Sequence, residues 1–225
     1  MRCFAMLPGR LLAGSILAFL LLALPARGAS YVYRFDTTFS GTSPAGPGTW
    51  LEAYFSDIIP GTVRLAITNS GLTGSEFVSG LYLNLNTNLS AANLSFHLVA
   101  GSAGAFPDHI WTGRDQFKAD GDGKYDILFD FGTSRARHFD AGDYLVYQIT
   151  GIPTLNALDF AYLSAPAGGS GPFLAAAHIQ SIGCSDSGWI RPRDFTQLVP
   201  VPEPSTAALL SLGLGVFGFA CRRRR

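Results

Sequence analysis

Three carboxylates fall within seven residues in the segment Asp120-Gly121-Asp122-Gly123-Lys124-Tyr125-Asp126. Hard cations such as calcium seek several oxygens at that density. The spacing is not that of an EF-hand. Counting from Asp120, Lys124 stands at the third ligand position, Tyr125 where the glycine belongs and Phe131 where a bidentate Glu is required. Asp120, Asp122 and Asp126 are the metal candidates, and a solvated Asp-Gly turn between strands is the simpler reading. His97, His109, His138 and His178 are scattered, with none of the His-x-His or HExxH spacings that put two imidazoles on one metal. His109 lies near Asp108 and Asp115, where an acid–base pair can be imagined. A G-x-S-x-G nucleophile elbow is absent from the sequence. No catalytic residue is assigned, and a non-enzymatic body is expected.

Aromatic rings can stack on sugars, and Trp50, Trp111, Trp189 and eight tyrosines supply candidates. Most are expected in the core. Trp111, in a stretch from Asp108 to Asp115 that reads as a loop, is the candidate for an exposed glycan contact. The sequons Asn88-Leu89-Ser90 and Asn93-Leu94-Ser95 read as coincidence.

The elements that must position these residues are strands. Tyr31, Tyr33 and Phe35 alternate with Val32, Arg34 and Asp36. Val63, Leu65 and Ile67 alternate with Arg64 and Ala66, and Leu81, Leu83 and Leu85 with Tyr82 and Asn84. Each reads as a sheet strand with one wet face. Trp50 to Ser56, Leu94 to Val99, Tyr125 to Phe131, Tyr144 to Thr150, Ala157 to Leu163 and Phe173 to Ile182 are further candidates, with a brief helix as an alternative at Ala175 to His178. Turn signals at Pro60-Gly61, Ser70-Gly71, Asp120-Gly121 and Ala141-Gly142 separate them at sandwich-like intervals. With 26 Gly and 13 Pro, this predicts an all-β body, a single β-sandwich or jelly roll over residues 29–198.

From Ser30 to Pro200 there are nine basic and fifteen acidic residues, a net of 9 − 15 = −6, so the body is acidic and nucleic acid is excluded as a partner. Cys3, Cys184 and Cys221 fall one to each region, leaving the body without a partner for an internal disulfide; Cys184 reads as a small buried hydrophobe.

The two ends carry addresses. Arg2 and Arg10 precede an apolar run from Leu11 to Leu24, followed by Pro25, Ala26, Arg27 and Gly28, the pattern of a secretory signal peptide over residues 1–28. Cleavage after Gly28 is the first choice and after Ala26 the second. At the other end, residues 199–225 carry Val201, Pro202, Glu203, Pro204 and Ser205. An apolar run follows through Ala207, Leu209, Leu210, Leu212, Leu214, Val216, Phe217 and Phe219 to Cys221, and then Arg222, Arg223, Arg224 and Arg225. Two prolines hold the first tetrapeptide extended. The apolar helix is short: fifteen residues at about 1.5 Å reach roughly 22 Å of a hydrocarbon core of about 30 Å, so snorkelling arginines must help it span. Four arginines fix the cytoplasmic side. Both ends therefore imply one topology.

This tail closely resembles the PEP-CTERM sorting signal: a Pro-Glu-Pro motif at Pro202 to Pro204, an apolar helix and a terminal arginine cluster. The resemblance implies processing by an exosortase, an integral-membrane cysteine transpeptidase or protease, in a Gram-negative bacterium. The implied route is an inner-membrane-anchored precursor that passes to the periplasm, outer surface or extracellular matrix. Through TWLEAYFSD, GTVRLAITNSGLTGSEFVSGLYLNLN, FKADGDGKYDILFDF and SAPAGGSGPFLAAAHIQSIG the body also looks like a recurring ectodomain of such proteins, which implies no assigned activity. The expected role is structural or adhesive at the surface. The alternatives are a carbohydrate-binding module, with or without calcium, and a hydrolase acting on exopolysaccharide, which would need two carboxylates across a cleft.

Overall fold

The computed structural model describes residues 28–183 and 185–197, so the calls on the signal peptide, Cys184, the sorting motif, the membrane anchor and the arginine cluster lie outside the described residues. Among the described residues no helix is long and apolar enough to cross a membrane.

Eleven strands form one antiparallel sheet. They are β1 (Ser30–Gly41), β2 (Leu51–Ile59), β3 (Thr62–Thr68), β4 (Phe77–Leu83), β5 (Ser95–Gly101) and β6 (His109–Lys118). After them come β7 (Lys124–Asp130), β8 (Phe139–Asp140), β9 (Tyr144–Thr150), β10 (Ala175–Ile182) and β11 (Asp186–Gln197). The spatial order is β5-β9-β3-β2-β1-β11-β10-β4-β7-β6, with β8 on β4. The ribbon is folded on itself. Phe96 of β5 packs edge-on against Phe129 of β7, ring centres 5.5 Å apart, and Tyr147 of β9 lies 5.4 Å from the same ring. Strands from opposite ends of the order thus face each other across one core.

The fold-over runs through β1 and β11, each twelve residues long. The early part of β1, Ser30 to Phe35, pairs with β2, while β11 follows β1 to Gly41 through three register shifts. Each bulge adds local twist and bends the strand. Pro192 sits opposite Phe35 beside such a shift, where the missing N–H costs no regular ladder bond.

Alternation fills the core as expected. Leu51, Ala53 and Phe55 of β2, Val63, Leu65 and Ile67 of β3, and Leu145, Tyr147 and Ile149 of β9 are buried on one layer, opposite Leu81, Leu83, Ile127 and Phe129 on the other. The sandwich expectation holds in part: the layers are halves of one nearly closed sheet.

Two local readings are corrected, one alternative falls away and one strand is added. Ala157 to Leu163 is not a strand. Ala157–Phe160 is a 3-10 turn, because Asn156 accepts the Leu158 N–H and Asp159 accepts the Asn156 N–H, a reciprocal cap that alternation hides. The Asp108 to Asp115 loop is instead largely strand β6. Ala175 to His178 is strand, buried between β4 and β11, which overrides the helix propensity of three alanines. Asp186–Gln197 is a strand that the sequence reading did not predict.

Candidate functional site

The layer β11-β10-β4-β7-β6 buries one face in the core and turns the other outward. Register decides what that outer face carries. Trp189 pairs with His178, His178 with Gly80, Gly80 with Asp130, and Asp130 with His109, forming one row across five strands. The next row runs Ala176, Tyr82, Leu128, Trp111. At about 4.8 Å between strands the first row spans roughly 19 Å.

The rings in these rows are held in place by one another. His178 lies flat on Trp189, centres 4.4 Å apart and planes within 19°, and Tyr82 leans on the same indole at 5.4 Å. Gly80 makes room for Tyr82, since a Cβ at Gly80 would come within 2.9 Å of that ring. At the edge strand, His109 stacks on Trp111 at 4.8 Å and 17°, and the Trp111 indole N–H donates to Asp130 Oδ2 at 3.4 Å. Trp111 is 47% exposed, and Tyr82, Leu128, Asp130, His178 and Trp189 are half-buried. Phe39 and Phe173, centres 4.8 Å apart, close the far side, with the Arg191 guanidinium over Phe173.

Charge on this face is low. Burial lowers the His178 imidazole below its usual range, only partly opposed by Asp120, so it is neutral at pH 7. Ser79 Oγ lies 2.9 Å from His178 Nδ1 and fixes the ring. Burial, with help from Asp130, raises the Tyr82 phenol, so it too stays uncharged. Exposed and half-buried rings with the Asp130 carboxylate between them can take the apolar face of a hydroxyl-bearing ring molecule and bond its hydroxyls at Asp130.

The three aspartates of the predicted metal site have separate tasks. Asp120 is exposed in a left-handed turn at φ +48°. Asp122 is buried and accepts the Ser170 N–H. Asp126 Oδ2 accepts the Leu85 N–H and Oδ1 the Asp115 N–H, both at 2.9 Å. Among the described residues no group of three His, Cys, Asp or Glu gathers where it could hold a metal. The imagined pair of His109 with Asp108 is not formed, since Asp108 binds Arg137 at 2.7 Å and His109 turns to Trp111.

A second concave feature, of about 270 Å³, is lined by Leu85, Leu89, Arg114, Asp115, Asp126 and Leu163 among others. Arg114 Nη2 donates to the carbonyls of Thr87 at 2.8 Å and Leu89 at 3.1 Å, and Asp115 holds a left-handed φ of +53°. Burial raises the Asp126 carboxyl, against the two N–H bonds that lower it. Asp126 is primarily a fastener between the end of β4 and the β6 bulge. Asp126→Asn keeps one acceptor but turns an amide NH2 toward a backbone N–H, so it is expected to lower stability by about 1–2 kcal/mol in urea unfolding. Aspartate is needed there because both oxygens accept.

Of the glycan candidates read from sequence, Trp111 is indeed at the surface, on a strand and not a loop. Trp189 and Tyr82, named among the aromatic candidates but expected with most of them in the core, are half-buried on the same face, while His109, Asp130 and His178 were not read as glycan contacts. The signal available for Tyr82 was its place on the wet face between Leu81 and Leu83; the others became neighbours only through register.

Comparison with known proteins speaks to the tail. Residues 200–225 match a family described as the PEP-CTERM protein-sorting motif. No curated protein matches the chain. Among solved structures, one described as biomass-sensing modules from Rsgi-like proteins of Clostridium thermocellum, said to resemble the family 3 carbohydrate-binding module of the cellulosome, overlaps 73% of this chain and 97% of its own. Its identity is 15% and its TM-score 0.31, which carries no argument about function. The sorting motif implies a secreted, cell-surface-directed protein handled by an exosortase.

Proposed function

We propose that the chain is a non-enzymatic adhesive protein of the cell surface or matrix, whose β-sandwich holds exopolysaccharide on the outer face of β11-β10-β4-β7-β6. The observation that supports this reading is the pair of aromatic groups on one sheet face, Trp189 with His178 and Tyr82, and Trp111 with His109, flanking Asp130. Successive sugars of a chain present apolar faces to rings and hydroxyls to the carboxylate, without a charge to neutralise. A core-facing aromatic needs no such arrangement; 47% exposure of Trp111 is surface left for a partner. Calcium has no part in this reading. Before release, the apolar segment from Ala207 to Cys221 holds the precursor in the inner membrane, with Arg222 to Arg225 in the cytoplasm. Processing at Pro202 to Pro204 then frees the body to the outer surface.

The test is binding of the purified protein to exopolysaccharide recovered from the producing cells. Trp111→Ala is expected to weaken it about tenfold, a loss of about 1.4 kcal/mol, while changing stability by less than about 0.5 kcal/mol because the ring is exposed. A chelator is expected to change nothing. Unaltered binding by the Trp111 variant would remove the face from the reading. The pocket shared by Asp115 and Asp126 is where a hydrolytic activity would lie. Release of reducing ends that Asp115→Asn abolishes would replace adhesion by hydrolysis.

A further inference from the structure

The clasp at the start of β1 singles out one peptide bond. Asp57, at the end of β2, accepts the Ala29 N–H on Oδ2 at 2.7 Å and the Ala157 N–H on Oδ1 at 2.6 Å, while its own N–H donates to the Ala29 carbonyl at 3.0 Å. One side chain thus joins the first residues of the body, the β2 end and the 3-10 turn Ala157–Phe160. Gly28 lies so close over it that an added Cβ would stand 2.7 Å from Asp57 Cβ. Only glycine, or no residue at all, fits there. Ala26 and Gly28 are also the small residues that a signal peptidase accepts at the third and first positions before its cut.

We infer that signal-peptide removal falls between Gly28 and Ala29 and that the ammonium it creates is held by the Asp57 carboxylate. The inference rests on the export reading. Water splits the Gly28–Ala29 bond at an export-pathway peptidase: the hydroxyl goes to the Gly28 carbonyl, which leaves as carboxylate, and the amine of Ala29 keeps a proton as ammonium. The hydrogen bond of 2.7 Å, already made to a carboxylate, then gains a donor that is itself charged and becomes an ion pair. Cleavage after Ala26 would place the charge two residues away, beyond the carboxylate's bonded position. The ionisable groups on the surrounding elements include Asp57 itself, Arg64 on β3 opposite Ser56, Asp159 on the turn, whose oxygens serve Asn86 and Asn156, the Arg34–Glu52 pair farther along β1 and β2, and Arg193 and Asp194 on β11, which pairs with the start of β1. Asp57 is the one bonded to Ala29.

The experiment is amino-terminal sequencing of the protein recovered from the cell envelope, followed by titration of its α-amine by pH-dependent acylation, in the wild type and in Asp57→Asn. The expected result is a chain that begins at Ala29. Its amine should titrate above the ordinary α-amino range of about 7.7–8.0, and Asp57→Asn should return it to that range. A start at another residue overturns the inference and leaves export standing. A chain that still begins at Met1 overturns both. A start at Ala29 with an amine in the ordinary range in the wild type overturns the pairing, and that measurement needs no variant to fold.

Discussion

Phe55→Ala lowers the stability of the body by about 4 kcal/mol, within the range of about 3–5 kcal/mol for deleting a buried phenylalanine. Phe55 is fully buried in the middle of a stack, 5.0 Å from Tyr31 at 13° and 5.0 Å from Phe160 at 25°, with Tyr33 edge-on at 6.0 Å. Tyr33 completes the group by donating its hydroxyl to the Phe160 carbonyl at 2.9 Å. Removing the central ring leaves three aromatic neighbours without a partner atom on one side, and fixed strands cannot close the gap. Alanine also loses the ring-to-ring terms. Since whole domains are stable by only about 5–15 kcal/mol, the loss is a large fraction of the total, and a fall in Tm of about 8–16 °C is expected for a body of this size. Urea unfolding followed by tryptophan fluorescence measures it. Phe55→Leu, which keeps most of the volume, should cost less than half as much. A cost near zero for Phe55→Leu would mean that ring stacking contributes little, whereas equal costs from both would mean that stacking outweighs filled volume.

Replacing Pro202 and Glu203 together with alanine leaves the protein unprocessed and held at the inner membrane. The sorting motif spans residues 200–225 and carries Pro202 and Pro204 two residues apart, a spacing that disfavours helix at the residue before each. Pro204 remains in this variant and still disfavours helix at residue 203, so the expected loss comes from the Pro202 ring and the Glu203 carboxylate of the motif itself. The expected readout is nearly complete: precursor mass in the membrane fraction and none at the surface. Mature mass at the normal destination would show that Pro202 and Glu203 do not direct the process.

Much of the sandwich was legible because burial repeats every two residues. The alternations at Tyr31 to Asp36, Thr62 to Thr68 and Leu81 to Leu85 became β1, β3 and β4 with the expected inner faces. The pattern failed where a local hydrogen bond outranked it, as at the Asn156–Asp159 cap, and where attention to polar residues concealed it. In β6, Ile110 packs against the core while His109 and Trp111 face out, yet the flanking Asp108 and Asp115 suggested a loop.

The candidate site was hardly legible. Trp111 alone of its rings was singled out, and of the three aspartates grouped as one site Asp126 binds the Leu85 and Asp115 N–H groups, Asp122 that of Ser170, and Asp120 is exposed in its turn.

The chain by itself determined its route. The sorting tail at residues 200–225 is a short linear pattern of charge, proline and apolar length, so no folding is needed to recognise it. The tertiary structure alone decided the surface that the body presents and the carboxylate that meets Ala29. His178 and Trp189 lie on the consecutive strands β10 and β11, Tyr82 and Trp111 on β4 and β6 far from them in sequence, and Asp57 is 28 residues from Ala29. Strand register and the fold-over at β1 and β11 bring them together, because a shift of one residue in any pairing would turn a ring from solvent into the core.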